Sequence, residues 1–392
     1  MNNYTKTDVV VIGAGMVGAA AALGLAEAGF SVVVVESNRP KPFDSLRQPD
    51  LRISAINASS INLLTNLGIW QDARHMRSAP YLGLEAWELE GSRFTFHAKD
   101  LGIPELGYMI ENEVLKLSLW LRLEQIPNIR IYSPADFKIL TKANKRWIVG
   151  LSNGVEVEAK LVIGSDGGRS QIRDSAGIGL IGWQYRQSCM MILIQMDDDP
   201  LDIAWQKFTP HGPRSFLPLW EHWASLVWYD NPARIRQLME LSMSQLTKEI
   251  KNVFPPCLGC IRAIHAGSFQ LLRLHANCYV QEGLALLGDA AHTMHPLTGQ
   301  GVNLGYLDVD ALLNVVIAAR NKGEHWYSEN ILKRYQHIRR SDNLLMQAGI
   351  DLLYSAFNND LILLKIVRNL GLIAAESSIE LKKGMLKYLL GL

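Results

Sequence analysis

The stretch Asp8-Val-Val-Val-Ile12-Gly13-Ala14-Gly15-Met16-Val17-Gly18, continued by an Ala- and Leu-rich run to Ala28, then Gly29 and Ser31-Val-Val-Val-Val-Glu36, decides the fold. Asp8 to Ile12 is β-branched and almost wholly apolar, as a parallel strand buried on both faces must be. Met16 to Ala28 has high helix propensity, and Gly29 stands where a helix-ending glycine belongs. A second buried strand follows, so the segment predicts a βαβ unit with a right-handed crossover. Gly13 permits the tight turn, Gly15 lets backbone N–H groups approach a pyrophosphate, and Gly18 lets the helix lie close to the strand. Glu36 ends the second strand 23 residues after Gly13, placed to accept hydrogen bonds from ribose hydroxyls. The pattern predicts a dinucleotide whose adenosine ribose lacks a 2′-phosphate and leaves NAD and FAD open.

The 18 uncharged residues from Val9 to Ala26 have the length of a membrane span or signal core. Glycines at 13, 15 and 18, where either would want Leu, argue against both. The full chain of 392 residues carries 39 Lys+Arg against 38 Asp+Glu, a net charge of +1. That balance supplies no field to gather nucleic acid. At 48% hydrophobic and 20% charged residues the composition is globular, and the length fits one large domain or two entangled ones. Cys189, Cys257, Cys260 and Cys278 are too few for a disulfide framework, which points to a reducing, cytoplasmic address. Cys257-Leu-Gly-Cys260 lacks a second pair to complete a tetrahedral site, so it reads as two loop thiols and no metal is expected.

Along the chain, a helix is expected from Ser59 to Leu67 and strands of a different sheet from about 82 to 98, where apolar and polar residues alternate. Asn112 to Glu124 reads as a helix, and Ile129 to Val162 as short strands broken at Asn153-Gly154. Gln184 to Tyr229 is strand-like and aromatic, with Trp205, Phe208, Phe216, Trp220, Trp223, Trp228 and Tyr229 as ordinary core or as the wall of a pocket. One helix is expected around Arg234 to Val253, and helices from Leu304 onward. The predicted fold is α/β: a discontinuous Rossmann-like dinucleotide-binding domain (1–75, 105–180, 275–340), an inserted β-sheet domain (76–104, 181–274) and C-terminal helices (341–392).

The choice of cofactor falls near residue 290. Leu284-Ala-Leu-Leu-Gly288-Asp289 is a buried strand that delivers a carboxylate to its end. His295-Pro296-Leu-Thr298-Gly299-Gln300-Gly301-Val302-Asn303-Leu-Gly-Tyr-Leu-Asp308 is a glycine-rich loop leading into a helix. Such a unit can fix a ribityl chain with Asp289 and offer N–H groups to a flavin ring.

With Gly164-Ser-Asp166-Gly167-Gly-Arg-Ser170 in the middle, these motifs cover most of the chain, which resembles the FAD-dependent aromatic hydroxylases. Gln48-Pro-Asp-Leu-Arg52 and Trp183-Gln-Tyr185 carry a finer resemblance within the branch that hydroxylates polyprenyl phenols and quinols in ubiquinone biosynthesis, whose signature the stretch His295 to Asp308 matches. Thr298 departs from the Ala or Gly usual there. The resemblance implies that Gly13, Ala14, Gly15, Met16, Val17, Gly18 and Glu36 hold the ADP half of FAD, and that Arg52 touches the cofactor. It implies that Asp166 ties pyrophosphate to reductant binding, or else caps the following helix, and that Gly288 and Asp289 hold the ribityl chain. Gly299, Gln300, Gly301, Val302 and Asn303 would meet the ring. His295 and the Pro296 carbonyl would face the substrate, Glu111 is a further polar candidate, and His292 reads as structural. The implied chemistry is ring hydroxylation of a polyprenyl benzoquinol through a flavin C4a-hydroperoxide. Molecular oxygen is co-substrate, and NAD(P)H or another donor supplies electrons. The alternatives are a flavoprotein reductase of the same fold acting on a prenyl lipid, or a non-catalytic scaffold among other ubiquinone-biosynthesis proteins. The apolar C-terminal helices, including Leu361, Leu363 and Leu364, are candidates for peripheral contact with the inner membrane or with such partners.

Overall fold

The structure is a computed structural model and describes residues 4–143, 146–198, 201–296, 299–358, 362–377, 380, 382 and 384. The side chains of Leu361, Leu363 and Leu364, and all of Leu297 and Thr298, lie outside what is described. β1 (Thr5–Ile12), α1 (Met16–Glu27) and β2 (Val32–Val35) form the expected unit. β1 pairs in parallel with β2 on one side and with Glu156–Gly164 on the other. Ile129–Tyr132 extends the sheet beyond β2, and Leu284–Leu286 extends it beyond Glu156–Gly164. The chain thus runs outward from β1 in one direction and returns on the other, so a topological switch point lies beside β1, where such sheets bind ligands. Gly13, Ser165-Asp166 and Gly288-Asp289 follow the carboxyl ends of three adjacent parallel strands. Val9–Ile12 and Gly18–Ala26 are buried, which explains the uncharged run.

A second, eight-stranded sheet is assembled from distant segments: His292–Thr293, Ile261–Ala276, Leu180–Met196, Trp223–Asp230, Arg214–Pro218, Ile203–Lys207, Gly83–Trp87 and Phe94–His97, in that order. Its two faces follow the period of two in a strand. On Trp223–Asp230, Ala224, Leu226 and Trp228 join a core with Trp87, Met190 and Ile192, while Val227 and Tyr229 join Tyr185 and Leu271. A small antiparallel sheet of Ile53–Asn57, Gly107–Glu111 and Ser78–Tyr81 joins the two, and its last strand lies in the 76–104 stretch. The single helix expected around Arg234–Val253 is two, Pro232–Met239 and Met243–Val253. Ser242 accepts from the Gln245 amide while the Gln245 side chain accepts from the Ser242 amide, a capping box that starts a new helix.

Among the described residues, the helices Gly301–Asn321, Glu329–Phe357 and Ile362–Ser377 follow. Gly301–Asn321 is long and apolar enough to cross a membrane, but most of it is buried in the fold. At its centre Asp308 is fully buried. It accepts from Gly288 N (3.1 Å), His292 Nε2 (2.5 Å), Arg339 Nε (2.9 Å) and Asn343 Nδ2 (3.2 Å). Burial alone would raise its pKa, yet the charge and hydrogen bond of His292, then those of Arg339, hold the carboxyl below the ordinary range. One carboxylate therefore fixes the Gly288 turn, the His292 strand and helix Glu329–Phe357 together.

Asp308→Asn leaves buried Arg339 with only the exposed Asp342 carboxylate (3.3 Å) as counter-charge. The expected loss of unfolding free energy is about 3–5 kcal/mol, read from urea denaturation at neutral pH.

Candidate functional site

The glycine turn is shaped by close contacts. A Cβ on Gly18 would lie 2.0 Å from Gly13 O, and one on Gly13, whose φ is +90°, would lie 2.6 Å from Ser165 O. Above Gly15 nothing lies within 4 Å. Gly15 is also the N-cap of α1 and provides no side-chain cap, so the first N–H groups of α1 face open space. The Ala14 peptide is clamped on both sides: Ala14 N donates to Glu36 Oε2 (2.7 Å), and Trp120 Nε1 donates to Ala14 O (2.9 Å). Glu36 Oε1 accepts from Asn38 N (3.1 Å) and lies 3.7 Å from Lys116 Nζ. A cleft of about 380 Å³ opens there, with Gly13, Gly15, Glu36, Ser165, Asp166 and Arg169 among its walls.

Asp166 lines that cleft, and its carboxylate caps the next helix, accepting from Ser170 Oγ (2.5 Å), Gln171 N (2.7 Å) and Ile172 N (3.2 Å). Ser165, not singled out from sequence, donates to Ile12 O (3.0 Å) and Gly13 O (2.8 Å) and so ties the middle motif to the first. Val17 ties the first to the third. A Cβ on Gly288 would sit 3.3 Å from its methyls and one on Gly305 2.5 Å away. The side chain of Asp289, just beyond the end of the strand Leu284–Leu286, is exposed. The dense protein around it raises its carboxyl pKa, opposed by His292 and Arg52. Arg52 is exposed, stacked over Phe269 at 5.0 Å.

The third motif ends in the helix start at Gly301. Gln300 makes no side-chain cap, and nothing lies within 4 Å of where a Gly301 Cβ would be. Val302 packs partly on the core. The Asn303 amide is used internally: it accepts from Ser60 Oγ (2.7 Å) and Asn57 N (3.2 Å) and donates to Ala55 O (2.8 Å) and Gln300 Oε1 (3.2 Å). Asn303 thus serves by fixing the helix to Ile53–Asn57. Glu111 is buried, accepting from Asp50 N (2.6 Å), and burial raises its carboxyl.

Pro296, Gly299 and Gln300 form one wall of a second cavity of about 240 Å³. Its other walls are largely apolar, with Leu84, Phe94, Phe96, Met109, Trp205 and Tyr229. Of the aromatic run, Trp205 and Tyr229 reach this cavity, while Phe216 and Trp228 point into the core behind it. His295 is buried in an aromatic box, stacked on Tyr229 (5.4 Å) and edge-on to Tyr185 (4.7 Å). Tyr185 and Tyr354, which flank it, carried no sequence signal beyond the Trp183-Gln-Tyr185 resemblance.

The two open volumes and the glycines between them suit an elongated dinucleotide. The uncapped N–H groups at the start of α1 suit a phosphate, and the exposed Asp289 carboxylate follows the strand beside Glu156–Gly164. These residues fit FAD: Gly13–Gly18, Glu36 and Asp289 would hold its ADP and ribityl portions, and the backbone of Gly299–Asn303 its ring.

Burial lowers the His295 pKa to about 4, and burial and the proximity of His292 lower that of His275 to about 4. Both folded values lie below the unfolded 6.5. The stability these histidines contribute is therefore complete above pH 6.5 and is lost as pH falls toward 4, by up to about 1.4 kcal/mol per pH unit for each. Denaturation curves across this range should show that slope, and His295→Gln should flatten it.

The family model described as "FAD binding domain" matches residues 6–344. The chain is 53% identical over 386 residues to the 3-demethoxyubiquinol 3-hydroxylase of Escherichia coli K12, covering 98% of this chain and 99% of that protein. It is 34% identical to the ubiquinone hydroxylase UbiL of Rhodospirillum rubrum, covering 98% and 89%. The crystal structure of p-nitrophenol 4-monooxygenase PnpA from Pseudomonas putida DLL-E4 superposes with a TM-score of 0.83 at 20% identity, covering 98% and 97%, and shares the fold. With the crevice, the three glycine motifs and this match over most of its length, the chain belongs to the FAD-binding-domain family of flavin-dependent monooxygenases.

Proposed function

We propose that this protein hydroxylates the ring of a polyprenyl benzoquinol in ubiquinone biosynthesis, at the position acted on by its 3-demethoxyubiquinol relative. The observation that carries this reading is the apolar cavity walled on one side by Pro296, Gly299 and Gln300. A chamber lined by apolar and aromatic side chains suits a quinol ring. Identity of 53% over nearly the whole length of a quinol hydroxylase supports the same substrate class.

Bound and reduced FAD supplies the activation of molecular oxygen. One oxygen atom enters the ring as a hydroxyl and the other leaves as water, with two electrons from NAD(P)H or another donor. The chain's own part is positional. Gly13–Gly18, Glu36 and Asp166 seat and orient the nucleotide end, and Asp289 with Arg52 fixes the middle. Phe94, Phe96, Trp205 and Tyr229 exclude water around the quinol. His295, kept neutral by burial, holds Tyr229 in place by stacking, and the Pro296 carbonyl, which already accepts from Gly299 N (3.1 Å), offers its second lone pair to a ring hydroxyl. The division into a nucleotide domain (1–75, 105–180, 275–340), a substrate sheet (76–104, 181–274) and C-terminal helices puts this chemistry at their junction. A reducing cytoplasmic location with peripheral contact at the inner membrane suits a substrate with a lipid tail.

The test is oxygen uptake by the purified flavoprotein. Uptake should depend on added demethoxyquinol, and the product mass should rise by one oxygen atom; quinol consumption without oxygen uptake would instead mark a reductase. Asp289→Ala is expected to come through purification with little or no FAD, while Glu36→Ala should weaken FAD by about 1–3 kcal/mol, measured by flavin fluorescence titration.

A further inference from the structure

One face of the eight-stranded sheet turns toward the quinol chamber, and the strand register sets a row of side chains across it. From the sheet edge inward the cross-strand partners are Phe94, Ala86, Gln206, Ser215, Val227 and Met191. Phe216 and Trp228, which follow Ser215 and Val227 along their strands, point the other way into the core, as the period of two requires. The amide of Gln206 and the hydroxyl of Ser215 thus stand side by side in the middle of an otherwise apolar row.

An amide on such a wall is costly unless its donors and its acceptor find partners. Ser215, buried on the sheet, donates from Oγ to Gln206 Oε1 (2.9 Å). That bond occupies the carbonyl side of the amide and fixes the way it faces. Among the described residues none accepts from Gln206 Nε2, and both Gln206 and Ser215 line the chamber. Glu85, the carboxylate bordering the same chamber, is already paired with Arg93 Nη1 (3.0 Å). The Nε2 donors are therefore held in place for whatever fills the space.

The glycine-rich turn supplies the complementary group, the free lone pair of the Pro296 carbonyl. The chamber offers an acceptor from the turn and a donor from the sheet, with apolar side chains around them. A 1,4-benzoquinol carries an oxygen at each end of its ring. One hydroxyl can donate to Pro296 O while the oxygen of the other accepts from Gln206 Nε2.

We propose that Gln206 selects the substrate: its amide donates to the ring oxygen para to the hydroxyl that meets Pro296, so the chamber prefers a 1,4-dioxygenated ring to a monophenol of the same shape. With a monophenol bound, the amide is enclosed with no acceptor opposite it, and that penalty enforces the preference. Ser215 acts through Gln206, as a positioning residue. The inference deepens the quinol reading and rests on it.

The test titrates the holoprotein under argon and follows the flavin difference spectrum. The probes are 2-methoxy-5-methyl-1,4-hydroquinone, the two phenols that lack one or the other hydroxyl, and methylhydroquinone. Wild type should bind the hydroquinone about tenfold tighter than either phenol. Q206M keeps the length of the side chain without the amide; it should lose about tenfold in hydroquinone affinity and hold the phenols within about twofold. S215A, which leaves the amide unoriented, should narrow the preference about threefold. FAD content should be unchanged in both. The proposal is overturned if wild type binds phenols as tightly as the hydroquinone, or if Q206M weakens all probes alike, which would make the residue a packing element. It is also overturned if Q206M erases only a preference for the methoxylated ring over methylhydroquinone. Selective binding that Q206M abolishes, in a protein that hydroxylates no quinol, supports the selecting amide and defeats the hydroxylase reading alone.

Discussion

The structure depends on one close approach, the Gly13 carbonyl lying where any side chain on Gly18 would have to begin. Because that space is empty of carbon, α1 descends onto the end of β1 and its first N–H groups aim at the crevice. Ser165 then bonds the same carbonyl from the neighbouring strand, and Val17 presses against Gly288 and Gly305 from within the helix. Three turns far apart in sequence are locked at van der Waals distance. A ligand spanning them meets a surface already in position, which spares it the ordering cost of gathering loops.

Two buried carboxylates do comparable work at different places. Asp308 joins the Gly288 turn to helix Glu329–Phe357 through His292 and Arg339, and Glu88 joins the outer sheet to the last described helix through Arg368. In each case desolvation is offset by an arginine and further hydrogen bonds, and geometry is what the pairing secures. One sets the floor of the cofactor crevice. The other sets a wall of the chamber.

The nucleotide unit was legible because each of its signals is local. A β-branched run, a glycine spacing and an acid at a strand end each reflect contacts within the first 36 residues. The outer sheet was legible as strands but not as an order, since Gly83–Trp87 pairs with Ile203–Lys207 and no short-range pattern encodes that partnership. The break at Ser242 could have been read, because Ser242 and Gln245 form a capping box in plain sequence. The alternatives for Asp166 were capping and cofactor contact, and the carboxylate caps while lining the cleft. Asn303 showed a ring-contact pattern, whereas its amide is spent on Ser60 and Ala55, residues about 240 positions earlier. Tyr185, Tyr229 and Tyr354 converge on His295 from three elements, which only the assembled fold can bring about.

The parallel pairing of Gly83–Trp87 with Ile203–Lys207 also sets a schedule for the ribosome. The hairpin bearing Phe94 and Phe96 emerges with one edge bare and waits for a partner roughly a hundred residues downstream, about 5–20 s at ordinary elongation speeds. During that interval its greasy edge is a target for holding chaperones and for mispairing between nascent chains on one polysome. Yield on overexpression is therefore governed by synthesis rate and temperature through this seam, more than by the final stability of the folded molecule.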